Sequence, residues 1–277
     1  MKTNAKLALT LGLTAVFLAL VGAARPTWTM QETYYHIKKY NQRRCCDVAL
    51  CGDSRIECGL MPEIMSPICG KTYNFAYGAL CYSDAYYNRI PGLLDPNGKK
   101  IIVMGVQPAD FDKDESDFPL INAMSPARRS FELNAVQRLE TFKLDKNKGG
   151  HHPDGYNERK TKPTEAAKAT LIAGYRENRP AAKSEIDRLA AFVKKQVEDG
   201  FTVIGIRMPT TPEMVAVQDE KWDGEYAMNA LKDAGMIWVE IDGEYETWDA
   251  SHLTTDSARI YSEKLARKIK EIEDGNK

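Results

Sequence analysis

Histidine is scarce in this chain: there are four in 277 residues, His36, His151, His152 and His252, so a reaction that needs an imidazole base has few sources for one. An excess of one charge is lacking too. Lys and Arg number 38 against 39 Asp and Glu, a net charge of −1, with no basic patch large enough to hold a phosphate backbone. Nucleic acid is therefore excluded as an expected partner. There is no internal repeat and no Gly/Ser-rich run, which leaves no repeat array or flexible tether to account for. The six cysteines (Cys45, Cys46, Cys51, Cys58, Cys69 and Cys81) contain no CxxC spacing and enclose no histidine, so the usual zinc-ligand pattern is missing. In an exported chain such a cluster fits one or more disulfides, with no readable pairing. Small buried apolar residues on strands is an equally good reading of Cys46 and Cys51.

What is present begins with a targeting segment. Lys2 and Lys6 precede an uncharged stretch from Leu7 to Ala24, followed by Arg25 and Pro26. Gly22-Ala23-Ala24 suits cleavage of a secretory signal peptide, while the length of the stretch equally suits one retained transmembrane anchor with its basic end in the cytoplasm. Either way the remainder is expected to be extracytoplasmic, in the cell envelope or secreted. Residues 1–26 thus read as signal or anchor, 27–44 as a linker or lead-in helix, and 45–277 as one domain, for which 43% hydrophobic residues suffice to form a core.

Five apolar runs suit buried strands: Cys46 to Cys51, Thr72 to Ala76, Lys100 to Gly105, Phe201 to Ile206 and Met236 to Ile241. Helical stretches separate them. From Ala182 to Asp199, Ile186, Leu189, Ala190, Val193 and Val197 recur at helical spacing, and from Thr255 to Ile272 so do Ala258, Tyr261, Leu265, Ile269 and Ile272. The alternation predicts an α/β fold, a three-layer α/β/α sandwich around a central parallel five-stranded sheet. A polar segment at about 112–163 breaks the alternation and reads as an insertion in a position to cover the active site.

In such sheets ligands lie beyond the carboxyl ends of the strands. There the first run ends in Gly52-Asp53-Ser54-Arg55, placing a serine at the start of a helix whose unpaired N–H groups suit an oxyanion. A serine needs a base oriented by a carboxylate. Asp249-Ala250-Ser251-His252, between the fifth run and the last helix, supplies both groups within one turn of loop.

These residues resemble the blocks of the SGNH (GDSL-like) hydrolase superfamily, whose SGNH/flavodoxin-like fold agrees with the predicted layers. Gly52-Asp53-Ser54-Arg55 is similar to the first block and Asp249-Ala250-Ser251-His252 to the DxxH block. Tyr73-Asn74-Phe75-Ala76-Tyr77-Gly78 looks like the second, whose glycine N–H helps form the oxyanion hole. The third block, GxND in the family, falls on Gly105-Val106-Gln107-Pro108, so Gln107 stands for the asparagine. The segments Val48 to Pro62 and Met104 to Phe111 look closer to cell-envelope acyl-transfer relatives than to secreted lipases.

The resemblance implies a serine-dependent esterase or O-acyltransferase with catalytic Ser54, His252 and Asp249, and an oxyanion hole from Ser54, Gly78 and Gln107. Arg55 and Asn74 are expected substrate contacts, although Arg55 serves equally as a cap for Asp53. No cofactor and no metal is implied. The partners are an acyl-ester or glycan substrate, a membrane acyltransferase, and the membrane itself where the N-terminal segment is retained. A second reading is a membrane-tethered protein with weak or no activity that uses the fold to bind a glycan or an acyltransferase. Three bland readings also stand: Tyr82, Tyr86 and Tyr87 as packing and not a sugar platform, His151 and His152 as an exposed loop pair, and Asp110 and Asp112 as a solvated loop.

Overall fold

Each apolar run contains one strand: β1 (Val48–Cys51), β2 (Thr72–Asn74), β3 (Ile101–Gly105), β4 (Thr202–Ile206) and β5 (Ile237–Val239). The computed structural model describes residues 6, 10–14, 35–36, 38–78, 82–111, 150–158 and 164–275. The strands pair in the order β2-β1-β3-β4-β5, every pair parallel. Between and after them lie α1 (Ser54–Gly59), α2 (Pro62–Cys69), α3 (Asp84–Tyr87), α4 (Glu165–Glu177), α5 (Lys183–Glu198), α6 (Pro212–Asp219), α7 (Gly224–Asp233) and α8 (Thr255–Gly275).

Successive strand residues point to opposite faces, and both faces are covered. Ala49, Cys51, Ile102, Met104 and Val203 pack with Ile186, Leu189 and Val193 of α5 and Leu231 of α7. Val48, Leu50, Ile101, Val103, Ile204 and Ile206 pack with Ile56 of α1, Met65 of α2 and Leu265 and Ile269 of α8. This is the three-layer α/β/α sandwich, and two covered faces explain why the strands read as unbroken apolar runs without alternation.

Some boundaries and faces differ from expectation. The fifth strand stops at Val239, where Glu240 turns out to solvent. Cys46 makes only an isolated bridge to Leu94, ahead of β1. Val197, expected on the buried face of α5, is 38% exposed, because Phe192 and Gln196 turn inward instead and shift the stripe by one position in the last turns. On α8, Ala258, Tyr261, Leu265 and Ile269 are buried as their spacing requires. Cys45, Cys46, Cys51, Cys58 and Cys69 are free thiols, so no disulfide joins the described cysteines; Cys81 lies outside them.

Most of the Leu7 to Ala24 stretch lies outside the described residues, and none of the described helices is long and apolar enough to cross a membrane. Of the expected insertion only residues 150–158 are described. They pack against the sheet edge and α1: Asn74 N donates to Asp154 O at 2.8 Å and Asn157 N to Glu57 O at 3.0 Å. Gly155, at φ +90°, sits so close that a Cβ there would meet the Asn74 carbonyl oxygen at 1.9 Å. Two other glycines set the position of α1. A Cβ at Gly52 or at Gly105 would lie 2.6 Å from Ile56 Cγ1, so Ile56 occupies the space that side chains at the ends of β1 and β3 would fill.

Candidate active site

β1 ends at Cys51, and Gly52 turns the chain with both backbone groups bonded. Its N–H donates to Tyr86 Oη and its carbonyl accepts from Tyr77 N, each at 3.1 Å. Asp53 then caps α1, its Oδ1 accepting from Arg55 N at 2.9 Å. Ser54 is the first residue of the helix and half-buried, where backbone N–H groups have no carbonyl within their own helix.

The imidazole that faces Ser54 comes from the loop between β5 and α8. An antiparallel bridge between Thr247 and Leu253 closes it, with Trp248 N donating to His252 O at 2.9 Å. Inside this turn one carboxylate meets three donors. Asp249 Oδ1 accepts from Ser251 N at 3.0 Å and His252 N at 2.8 Å, while Oδ2 lies 2.7 Å from His252 Nδ1. The turn holds Ala250 at φ +75°, a left-handed conformation that costs an L-residue roughly 1–2 kcal/mol. Burial of Ala250 beside Met214 and Val217, and a 3.0 Å bond from Thr211 N to its carbonyl, offset that strain.

The other ring nitrogen of the histidine completes a chain: His252 Nε2 is 2.7 Å from Ser54 Oγ. Burial works against ionisation of Asp249, but the bonds from the His252 ring and from the two backbone N–H groups outweigh it and hold the carboxyl below its ordinary range. An ionised Asp249 accepts from Nδ1–H, which leaves the Nε2 lone pair for the serine hydroxyl. Trp248 stacks on the imidazole with centroids 5.7 Å apart and restricts its rotation.

The other expected site residues fall into two groups. Gly78 follows Tyr77 beside α1, where a Cβ would stand 3.6 Å from Glu57 Oε2. Gln107 is fully buried just past the end of β3, with its amide oxygen accepting from Arg55 Nη1. Arg55 and Asn74 differ from the substrate contacts expected of them. Arg55 is 1% exposed, and its Nε donates to Ser251 Oγ at 2.6 Å. The Asn74 amide is spent on the end of α1, donating to Ile56 O at 2.8 Å and Leu60 O at 3.0 Å and accepting from Ala76 N at 3.1 Å.

Tyr82, Tyr86 and Tyr87 are buried in the core, which is the packing reading. His151 and His152 are half-buried, stacked on Tyr35 and set edge-on to Tyr156 respectively, rather than fully exposed. No group of His, Cys, Asp and Glu among the described residues is arranged to hold a metal ion. Asp112 and the Asp110 side chain lie outside the described residues.

A further cluster was not anticipated. Lys39, in the lead-in segment, pairs with Glu57 at 3.0 Å and donates to Ala76 O at 2.6 Å. His36 stacks on Tyr77 beside this pair, and burial pushes its pKa down to about 4. The only hint in the sequence is that Glu57 follows Ser54 by three positions on the same short helix.

No protein-family model matches the chain and no curated protein is significantly similar to it; the feature of the molecule that points to a chemistry is the linked set of Ser54, His252 and Asp249.

Proposed function

We propose that this protein is a serine-dependent acyl-ester hydrolase or O-acyltransferase of the SGNH type, acting on an envelope glycan or a small ester. The carrying observation is the chain of two 2.7 Å contacts from Asp249 through His252 to Ser54. Ser54 Oγ attacks the ester carbonyl carbon while His252 Nε2 takes the hydroxyl proton, and the ionised Asp249 stabilises the resulting imidazolium. The oxyanion is met by the N–H groups of Ser54 and Gly78 and by the Gln107 amide. Collapse returns the proton from His252 to the departing alkoxide oxygen and leaves an acyl ester on Ser54.

In the second half, His252 deprotonates the acceptor, which attacks the acyl carbonyl, and the proton passes to Ser54 Oγ as the serine leaves. Water as acceptor makes the protein an esterase; a glycan hydroxyl makes it a transferase. The targeting segment favours an extracytoplasmic site and hence an envelope glycan, with a membrane acyltransferase as acyl-donating partner. The altered third block supports the alternative of a tethered binding protein, but a base held in reach of Ser54 weighs against it.

The test is hydrolysis of an aryl acetate by the purified full-length protein and its Ser54→Ala variant. Activity lost in the variant supports the reading. Equal rates from two folded proteins exclude simple esterase chemistry at Ser54.

A further inference from the structure

The largest fully buried side chain among the described residues is a charged one, Arg55. Burying a guanidinium is costly unless its donors are met. Here they are met by parts of the chain far apart in sequence. Nε donates to Ser251 Oγ at 2.6 Å, and Nη1 to the Gln107 amide oxygen. The side-chain amide of Gln218 of α6 also faces the guanidinium, turned so that its oxygen accepts once the amide O and N are exchanged, and the Tyr175 ring of α4 lies 5.1 Å away. The ion pair with Asp53 is long, at 3.8 Å. Arg55 is therefore held by direct hydrogen bonds to neutral oxygens, with the Asp53 carboxylate as a more distant counter-charge, and its guanidinium lies one residue from Ser54.

Each partner has a bearing on the site. Ser251 lies between Asp249 and His252, so the bond to its hydroxyl ties the base-bearing turn to the helix of the nucleophile. Gln107 has a long, rotatable side chain, and fixing its oxygen on Arg55 sets the direction in which its NH₂ group points. A cation at this place favours negative charge developing beside Ser54.

We infer that Arg55 is the positioning residue of the site, acting with Gln107 as one unit that sets the oxyanion donor and locks the His252 turn onto α1. The inference rests on the acyl-transfer reading above. It predicts an effect on turnover per competent site and not on substrate affinity.

The experiment compares the full-length protein with Arg55→Lys, Arg55→Gln, Gln107→Ala and the double variant Arg55→Lys/Gln107→Ala. Ser54 is titrated to completion with a fluorophosphonate, so that kcat for an aryl acetate is expressed per reactive serine. Arg55→Lys keeps the charge but loses the planar fork. We expect each single variant to lose at least about tenfold in kcat with KM nearly unchanged, and the double to be no slower than the worse single, as for groups that act together.

Wild-type kcat per titrated serine in Arg55→Lys, or losses that multiply in the double variant, would overturn the inference. A purely structural Arg55 would lower the titratable fraction and leave kcat per site intact, which also overturns it. Should Arg55→Gln fail to fold, Arg55→Lys and Gln107→Ala decide the matter. A wild-type protein that neither hydrolyses the ester nor reacts at Ser54 overturns the acyl-transfer reading itself, and this inference with it.

Discussion

Lys39 Nζ stands 3.0 Å from Glu57 Oε1, with both side chains almost wholly buried. The contact ties the segment ahead of the first strand to the helix that begins at Ser54. Through the Ala76 carbonyl it also reaches the loop that leads to Gly78. Burial alone would push the Glu57 carboxyl up, but the Lys39 ammonium, together with the nearby His36 and His151, more than reverses this and holds it below the ordinary range. Removing one partner of a buried pair leaves a bare charge, at a cost of about 3–5 kcal/mol. Lys39→Met should therefore lower unfolding stability by that order, and adding Glu57→Gln should restore a large part of it. Urea unfolding followed by circular dichroism reads both; a Lys39→Met variant as stable as wild type would discard the idea.

His36 makes the same region sensitive to acid. Its folded pKa is depressed by burial, from 6.5 to about 4, so below pH 6.5 the unfolded chain binds the proton more readily than the folded one. The stability from keeping His36 neutral is complete above pH 6.5 and is lost progressively as pH falls towards 4. The loss amounts to about 3 kcal/mol. His36→Asn should flatten the fall in melting temperature across this window. An unchanged slope would mean that other groups drive acid unfolding.

Asp249→Asn should leave the turn largely intact, because an amide oxygen can still accept from Ser251 N and His252 N. The amide NH₂ would face His252 Nδ1, however, and favour the tautomer with its proton on Nε2. That form cannot accept the Ser54 proton. Turnover is expected to fall by about 10⁴, the loss that the same tautomer reversal causes in a Ser-His-Asp protease. Steady-state kinetics with an aryl acetate measures it, and a loss below tenfold would argue that Asp249 does not orient the base.

Gly105→Ala places a methyl 2.6 Å from Ile56 Cγ1, against the helix that carries Ser54. Overpacking of this kind costs about 1–3 kcal/mol and should shift α1, lowering activity as well as stability. Ile56→Ala removes the obstructing atoms but leaves a cavity of its own. The double variant should thus be more stable than the sum of the two losses predicts. Strict additivity in thermal unfolding would show that the clash is relieved elsewhere.

The strands were legible because burial on both faces makes each one an unbroken apolar run, and β1 to β5 all lie within runs visible in the sequence. Ser54, Asp249 and His252 could be picked out because the chain has so few histidines and His252 falls between a strand and a helix. Contacts between distant residues were not legible. Arg55 beside Ser54 suggests an anion-binding group or a cap for Asp53, since nothing local shows that Ser251 and Gln107, separated from it by 196 and 52 positions, supply oxygens that allow its burial. The Lys39–Glu57 pair was hidden for the same reason, because charges 18 positions apart carry no mark of being partners. Aromatic spacing favoured packing over a sugar platform for Tyr82, Tyr86 and Tyr87, and all three are buried in the core.

The turn around Gly155 also bears on how the protein behaves among copies of itself. β2 is an outer strand, and an outer strand normally offers open N–H and C=O groups to any passing chain. Asn74 N is already taken by the Asp154 carbonyl, and Gly155 lies flat over the Asn74 oxygen with no room for a side chain between them. On the opposite side β5 is three residues long and leads at once to the exposed Glu240. One margin of the sheet is sealed and the other is short and charged at its end, so strand-to-strand aggregation finds little template in the folded molecule.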